Sequence, residues 1–160
     1  MPPAPARRGC RRRCPAGSAS LGRLRALSLL DNGVGNPGVR ALAASKALAG
    51  LRVLDLCSNP RIDCAGVQAL AASPNLRGLT RLGLGGTATG DAGASALAGF
   101  PQMSGLRRLN LYETSVGDAG AEALLRSRHL TRLEELDLEG PRLGRQMRAA
   151  IEARFGEGPD

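Results

Sequence analysis

Leucines recur along this 160-residue chain in one fixed pattern, which constrains the fold more than any other feature. Each unit carries leucines at its first, fourth and sixth places, and successive units begin 27 or 28 residues apart. The first leucines are Leu24, Leu51, Leu79, Leu106 and Leu133. The fourth and sixth leucines alternate with polar residues, which predicts a short β-strand with one buried face. The single spacing of 28 comes from one extra residue at Pro60-Arg61, in a predicted loop.

The second half of each unit predicts a short helix, because apolar residues such as Val39 and Leu42 recur three positions apart on one helix face. A unit of strand, turn, helix and linker cannot bury its apolar face alone, whereas stacked units share one core. We therefore predict an α/β protein: a right-handed solenoid of about five repeats, with short parallel strands on the concave face and helices on the convex face. Residues 21–144 are expected to form this solenoid, and residues 145–160 a C-terminal capping helix and tail.

Polar residues that favour N-cap positions stand before or at the start of the predicted helices. Asn36, Asp91 and Asp118 occupy this place in three units, and we predict that each caps its own helix. In the second unit Cys64 stands at that place and Asp63 precedes it, so the cap there stays open between the two.

The strand segments Leu51–Asn59 and Leu106–Leu124 resemble leucine-rich repeats. The period, together with a helix in each unit, resembles the ribonuclease-inhibitor-like subclass, and Val116–Leu124 is similar to repeat arrays of planctomycete and related bacterial proteins. The resemblance covers residues 21–156. It implies binding of another macromolecule without fixing which one.

The family prefers Asn at the turn after the strand, where its side chain usually bonds to backbone groups of adjacent turns. This chain has Asn32 and Asn59 in its first two units. The later units depart from the family pattern with Thr87, Thr114 and Pro141. Threonine is expected to replace Asn in part, whereas proline offers no polar side-chain group.

Residues 1–20 are rich in Arg, Pro, Gly and Ala, and three interpretations of them stay open. They are a disordered basic tail, the remnant of a preceding repeat, or an organellar transit peptide. Seven of the 22 basic residues precede the first acidic residue, Asp31, and the other 15 nearly balance the 14 acids. The net charge of +8 therefore gives weak grounds for a nucleic-acid partner of the repeats. The sequence shows neither a membrane-spanning run nor a secretory signal, so we expect a cytoplasmic protein.

Strand positions between the leucines form the predicted concave face, and seven of them are candidate partner-binding residues. They are Arg81, Arg108, Asn110, Tyr112, Glu135, Asp137 and Glu139. The three acids alternate along the last strand and therefore share one face, while the arginines form a basic zone beside them. The single tyrosine is a candidate anchor. The alternative for each residue is an ordinary solvated side chain without a role in binding. In that case an Arg–Glu pair across strands contributes about 0.2–1 kcal/mol to the stability of the fold.

The residues that could carry chemistry do not form a recognisable catalytic, cofactor or metal site. The glycine-rich stretch 83–90 lacks the Lys of a phosphate-binding loop, and the single His129 has no Cys or Ser placed beside it. The four cysteines lack the paired short spacings of a zinc module. We therefore expect a non-enzymatic module, without cofactor, that binds another protein through its concave face.

Two other functions stay open. The chain could be a structural or regulatory fragment of a larger repeat protein. It could also bind an anionic surface or nucleic acid through its Arg-rich start, although that segment lacks the interleaved aromatic residues that stack on bases. We expect a monomer, with edge-to-edge association at the N-terminal end of the solenoid as the alternative.

Overall fold

The computed structural model describes residues 22–156. Five strands alternate with five helices and form one parallel sheet in sequence order. The strands are β1 (Ala26–Ser28), β2 (Val53–Asp55), β3 (Arg81–Gly83), β4 (Arg108–Asn110) and β5 (Glu135–Asp137). The helices are α1 (Asn36–Ala44), α2 (Cys64–Ala71), α3 (Gly90–Gly99), α4 (Asp118–Leu125) and α5 (Arg145–Phe155). This arrangement confirms the predicted α/β repeat architecture.

The leucine pattern sets the register of the sheet. The fourth leucine of every unit is the central residue of its strand, and these leucines face one another across the sheet: Leu27, Leu54, Leu82, Leu109 and Leu136. The strands are three residues long, so each adds a single inward side chain between two outward ones. The first and sixth leucines lie just outside the strands and complete the inward-facing layer.

The core lies between the sheet and a layer of adjacent helices, and it is built from aliphatic side chains. The nine leucines of this pattern in units two to four are all at most 2% exposed. Burial of each contributes about 1.5–3 kcal/mol relative to an exposed side chain. By contrast, Leu24, Leu27 and Leu29 of the first unit are only partly buried. Within the described residues, the sheet continues from β1 on one side only.

Short 3-10 helices connect the α-helices to the next strands in three of the linkers. They span Lys46–Leu48, Pro74–Leu76 and Pro101–Met103, and each ends in an apolar side chain buried in the core. These apolar residues are Leu48, Leu76 and Met103, and each lies three places before the first leucine of the next unit. The linker therefore contributes to the core as well as connecting two elements.

The prediction that polar residues cap their own helices is wrong for three helices. The N-cap residues of α1, α3 and α4 are Gly35, Thr89 and Gly117, and none of them makes a side-chain cap bond. Among the described α-helices, the side-chain cap within one unit is Asp63, whose side chain accepts a hydrogen bond from the Ala65 N–H at 2.8 Å at the start of α2. That bond is the main cause that lowers the pKa of Asp63.

The residues predicted as caps bond instead to the next unit. Asp91 Oδ1 accepts from Gly117 N at 2.7 Å and from Gly120 N at 3.1 Å, at the start of α4. Asn36 and Asp118 accept in the same way from the backbone N–H groups of Asp63 and Gly144. The helix starts lie side by side, so a side chain of one unit reaches the unpaired N–H groups of the next. A Cβ at Gly120 would lie 2.7 Å from the Asp91 carboxylate, which is why a glycine suits this place.

The turn position after each strand also connects neighbouring units. Asn59 is fully buried, donates from Nδ2 to the Leu29 carbonyl, and accepts at Oδ1 from the Val34 N–H. The expected bonding of Asn to an adjacent turn is thus confirmed for Asn59, whereas Asn32 donates to the Leu30 carbonyl of its own unit. Thr87 and Thr114 donate only to a carbonyl of their own unit, so threonine replaces the local part of this role.

Helix α5 closes the described chain and stops at Gly156, which has a φ of 77°. Ile151 is buried, and Met147 and Phe155 pack against the core. The boundaries at residues 20 and 144, and the capping role of residues 145–160, stay predictions. Residues 1–21 and 157–160 lie outside the described residues, and so do the alternatives for residues 1–20. Among the described helices, every one is too short or too polar to cross a membrane.

Candidate binding surface on the strands

The outward side chains of the sheet form three columns, which together we call the strand face. The strand register places Ala26, Val53, Arg81, Arg108 and Glu135 in the first column and Ser28, Asp55, Gly83, Asn110 and Asp137 in the second. The third column, just beyond the strands, contains Leu30, Cys57, Gly85, Tyr112 and Glu139. The core positions are nearly identical from unit to unit, whereas the columns vary. The first column changes from apolar to basic to acidic along the sheet, and the other two columns end in the acidic Asp137 and Glu139.

Gly83 lines a depression in the middle of the strand face, and Gly85 follows two residues later. A Cβ at Gly83 would lie 2.8 Å from Asp55 Oδ1 and 2.9 Å from Cys57 Sγ, so side chains of β2 lean over this position. A Cβ at Gly85 would lie 2.7 Å from Asn110 Oδ1 on the opposite side. The depression has a volume of about 310 Å³. Glycine here lets neighbouring strands place polar atoms where a third side chain would otherwise stand.

Five of the seven predicted residues line this depression: Arg81, Arg108, Asn110, Glu135 and Asp137. The other two, Tyr112 and Glu139, line a separate shallow depression of about 240 Å³ that also includes Glu113 and Arg148. The strand face therefore brings the seven residues onto one surface but divides them between two concavities.

The basic zone contains one paired and one unpaired arginine. Arg108 Nε lies 2.9 Å from Glu135 Oε2, and the two side chains are 55% and 35% exposed. An ion pair this exposed contributes little to stability, at most about 1 kcal/mol. Arg81 is exposed and makes no ion pair with a described residue. Its guanidinium is therefore available to pair with an anionic group.

The acidic zone is internally repulsive. Burial raises the pKa of Asp137, and the charges of Glu139 and Glu135 raise it further. A carboxylate in this position is stabilised by any cation that approaches it. The end of the strand face at β5 is therefore suited to a basic side chain, whereas Arg81 is suited to an acidic one.

Tyr112 presents the largest exposed aromatic surface of the strand face, with 43% of the residue exposed. Its backbone N–H donates to Asn110 Oδ1 at 3.0 Å, which fixes the chain where the tyrosine projects. Asp55 makes the same contact with the Cys57 N–H. The charge of Glu113 is the main cause that raises the pKa of the Tyr112 phenol, and a neutral phenol is able to donate a hydrogen bond.

The structure adds residues that the sequence-based choice did not include. Asp55 and Cys57 line the central depression, and burial together with the Asp55 carboxylate raises the pKa of Cys57 to about 11. Glu113 belongs to the depression beside Tyr112, and Leu30 is 50% exposed at the first unit. The signal for the first two was the pair Gly83 and Gly85, at the end of β3 and just beyond it, where the other units have side chains. Among residues 22–156, no group of three or more His, Cys, Asp or Glu is arranged to hold a metal ion.

Comparisons with known proteins agree with this geometry. A family model described as leucine-rich repeat matches residues 24–43. The fold is a leucine-rich-repeat solenoid. It is similar to the tropomodulin C-terminal domain of Caenorhabditis elegans, with a TM-score of 0.64 and 10% sequence identity over 84% of this chain and 83% of that one. It is also similar to leiomodin-1 actin-binding site 2, with a TM-score of 0.61 and 17% identity over 81% of this chain and 78% of that one. A search of curated proteins finds no match.

The comparisons support the leucine-rich repeat that the sequence resembles, at the level of the fold. Whether the repeats belong to the ribonuclease-inhibitor-like subclass, and whether the chain is bacterial, stay predictions. Identities of 10% and 17% show the fold and leave the partner open.

Proposed function

We propose that the chain is a non-enzymatic module that binds another protein through the strand face. The observation that carries this proposal is the contrast between core and face. The core leucines repeat in every unit, whereas the outward residues of the strand face differ between units. The face combines a 310 Å³ depression, an exposed tyrosine and opposite charges. Solenoids commonly use the extended surface of their stacked repeats for binding.

Some residues of the strand face are of the types enriched in protein interfaces. Tyr112 offers an amphipathic ring whose entropy loss on binding is small, and tyrosine and arginine are enriched where binding energy concentrates. Arg81 and Asp137 supply opposite charges to the lining of the central depression. Charges placed in this way set the orientation of a partner and accelerate its association.

The structurally similar leiomodin-1 segment is named as an actin-binding site. This supports the proposal that the same fold here serves a protein partner, and it makes actin a sensible first defined probe.

A matched pair of variants tests the proposal. The strand-face variant carries Arg81→Glu and Tyr112→Ala, and the control carries Arg40→Glu and Gln68→Ala on exposed positions of α1 and α2. Both change the net charge equally, and neither breaks an ion pair between described residues. The full chain and both variants are immobilised, and the protein that each of them captures is quantified. Purified actin is one of the proteins supplied.

We expect proteins captured by the unchanged chain and by the control to be lost from the strand-face variant. Truncation of an anchor tyrosine commonly costs 2 kcal/mol or more of binding free energy, about a thirtyfold loss of affinity. Equal recovery on both variants would show that the strand face is not the binding surface. Circular dichroism spectra that coincide for the three proteins would exclude unfolding as the cause of a loss.

A further inference from the structure

Basic residues are concentrated on one edge of the solenoid. This edge, which we call the linker edge, consists of residues 22–25, 45–52, 72–80, 100–107 and 126–134, the segments that lead into the strands. It contains one acidic residue, Glu134, and nine basic residues, all of them exposed: Arg23, Arg25, Lys46, Arg52, Arg77, Arg107, Arg126, Arg128 and Arg132. Its formal charge is therefore +8, the difference of nine and one.

The opposite edge has the opposite sign. The segments that lead from each strand to its helix carry two basic residues, Arg61 and Arg142, and four acidic ones: Asp31, Asp63, Glu113 and Glu139. The difference is −2, and we call these segments the turn edge. The near-balance of charge along the repeats thus conceals a separation of charge across the solenoid. Surface charge separated in this way creates a field that attracts anions to one side.

Contacts between successive linkers show that the linker edge is one continuous surface. Arg25 Nη1 donates to the Gly50 carbonyl at 2.9 Å, and Arg52 Nη1 donates to the Gly78 carbonyl at 2.8 Å. Neighbouring parallel strands lie about 4.8 Å apart, so basic side chains recur at close intervals where the linkers enter the sheet. An extended chain that crosses the repeats can contact several of them.

Several of these cations are left uncompensated. Lys46, Arg77 and Arg132 are exposed and make no side-chain hydrogen bond or ion pair with a described residue. Arg77 also lines a polar depression of about 310 Å³ together with Pro101, Gln102 and Ser104. A carboxylate side chain placed there would meet a guanidinium at the centre of the edge.

The side chains of the linker edge favour one class of anionic partner. Its one Phe, Tyr or Trp, Phe100, packs against the core, so no such ring is available to stack on bases. The exposed large hydrophobic residues, Leu30 and Tyr112, lie outside this edge, so none is placed to enter a membrane. Eight of the nine cations are arginines, whose planar guanidinium pairs with carboxylates through two parallel hydrogen bonds. We infer that the linker edge binds an acidic segment of a partner protein.

The test uses the full chain and a fluorescein-labelled peptide of glutamates as the probe. Arg77→Glu with Arg132→Glu changes the linker edge, and Arg61→Glu with Arg142→Glu changes the turn edge by the same charge. All four positions are exposed, and coinciding circular dichroism spectra confirm that both variants fold. Affinity is measured by fluorescence anisotropy at low and moderate salt.

We expect the linker-edge variant to bind the peptide about tenfold more weakly than the unchanged chain, because two attractions become repulsions. The turn-edge control should change by less than about twofold. Equal losses in both variants would overturn the inference, because binding would then follow net charge or the arginines of residues 1–20, which both variants retain.

A second comparison decides the class of partner. An oligothymidylate of equal charge and phosphatidylserine vesicles are measured against the same chain. Tighter binding of either one than of the glutamate peptide would overturn the assignment to an acidic protein segment. Concentration-dependent self-association that the linker-edge variant abolishes would also overturn it, because the occupant would be the turn edge of a second copy.

The inference does not depend on the strand-face proposal. The Arg81→Glu, Tyr112→Ala variant should retain most of its affinity for the glutamate peptide, because both positions lie outside the linker edge. A loss in that variant equal to the linker-edge loss would place the peptide on the strand face and refute the present inference. Failure of the strand-face capture experiment would leave the peptide result unchanged.

Discussion

Asn59 is the position at which one substitution should separate bonding within a unit from bonding between units. Its Nδ2 lies 2.9 Å from the Leu56 carbonyl of its own unit and 2.9 Å from the Leu29 carbonyl of the preceding unit. Its Oδ1 accepts from the Val34 N–H at 2.8 Å, also in the preceding unit. Asn59→Ala removes all these contacts, whereas Asn59→Thr introduces the residue that units three and four have here.

The expected magnitudes follow from the partners left behind. Each hydrogen bond contributes a net 0.5–1.5 kcal/mol, and a buried group left unpaired costs about 1–3 kcal/mol. Asn59 is fully buried, so we expect Asn59→Ala to lower the free energy of unfolding by roughly 4 kcal/mol. Thr87 and Thr114 donate at 2.6 and 2.7 Å to the carbonyl three residues before them. Asn59→Thr should therefore retain the bond to Leu56 and lose roughly 2 kcal/mol, the share of the two contacts between units.

Urea denaturation followed by circular dichroism measures both losses, and amide hydrogen exchange locates them. The first unit should exchange faster in both variants, because its N–H at Val34 loses its acceptor and its leucines are already partly exposed. Thr114→Ala is the matched control, since it removes a bond within one unit and should leave exchange in the first unit unchanged. If Asn59→Thr were as stable as the unchanged chain, the contacts between units would contribute nothing and the reasoning would be wrong.

Four further predictions use other contacts. Asp91→Ala should cost about 1–2 kcal/mol in urea denaturation and Asp91→Asn less than half of that, because the amide oxygen still accepts at the start of α4. A double-mutant cycle of Arg108→Ala and Glu135→Ala should give a coupling of about 0.2–1 kcal/mol that decreases in about 1 M salt. Asp137→Asn should raise Tm at pH 7 and have no effect on Tm near pH 3. The pKa of Asp137 is raised in the folded state, so folding disfavours the ionised carboxylate. This penalty grows as pH rises above the ordinary pKa of 3.8 and disappears below it. Iodoacetamide should modify Cys57 slowly near pH 8, as resolved by peptide mass spectrometry, because a thiol with a pKa of about 11 is protonated there; rapid modification would contradict the raised pKa.

The strands and their register could be predicted from the sequence because the evidence for them is local and repeated. Leu54 and Leu82 occupy the same place in successive units, and parallel stacking puts equal places beside each other. The one irregular spacing, at Pro60-Arg61, lies in the turn between β2 and α2 and leaves the pairing of the strands intact.

The helix caps could not be predicted in the same way, because the bonds cross from one unit to the next. Sequence reasoning places Asp91 beside the start of its own helix, where a carboxylate commonly accepts from the backbone. In the structure the nearer unpaired N–H groups belong to Gly117 and Gly120 of the following unit, and the glycine at position 120 leaves room for the carboxylate. Where stacking brings the N–H groups of the next unit closer, the preference of a residue for capping its own helix does not determine which N–H it binds.

The sequence was sufficient to predict which outward residues of the candidate site stand beside each other on neighbouring strands. It was not sufficient to predict all the contacts that their side chains make. Arg108 and Glu135 pair as the register requires, since equal positions on adjacent strands face each other. The depression over Gly83, by contrast, depends on how Asp55 and Cys57 lean across the sheet. Side-chain direction of this kind follows from packing, so the sequence indicated the face and could not show its concavities.

The positively charged edge shows why total charge is a poor guide to the surface of a solenoid. Stacking brings the same segment of every unit to the same edge, so an excess of one or two cations in each linker accumulates over five units. The linker edge meets the strand face at Arg107 and Arg108, where the chain enters β4. A partner that covers both surfaces would therefore place acidic groups toward the linkers and basic groups toward Asp137 and Glu139. These opposite charges would orient such a partner on the solenoid. Arg77→Glu should then weaken only the contacts that the acidic groups of the partner make with the linker edge.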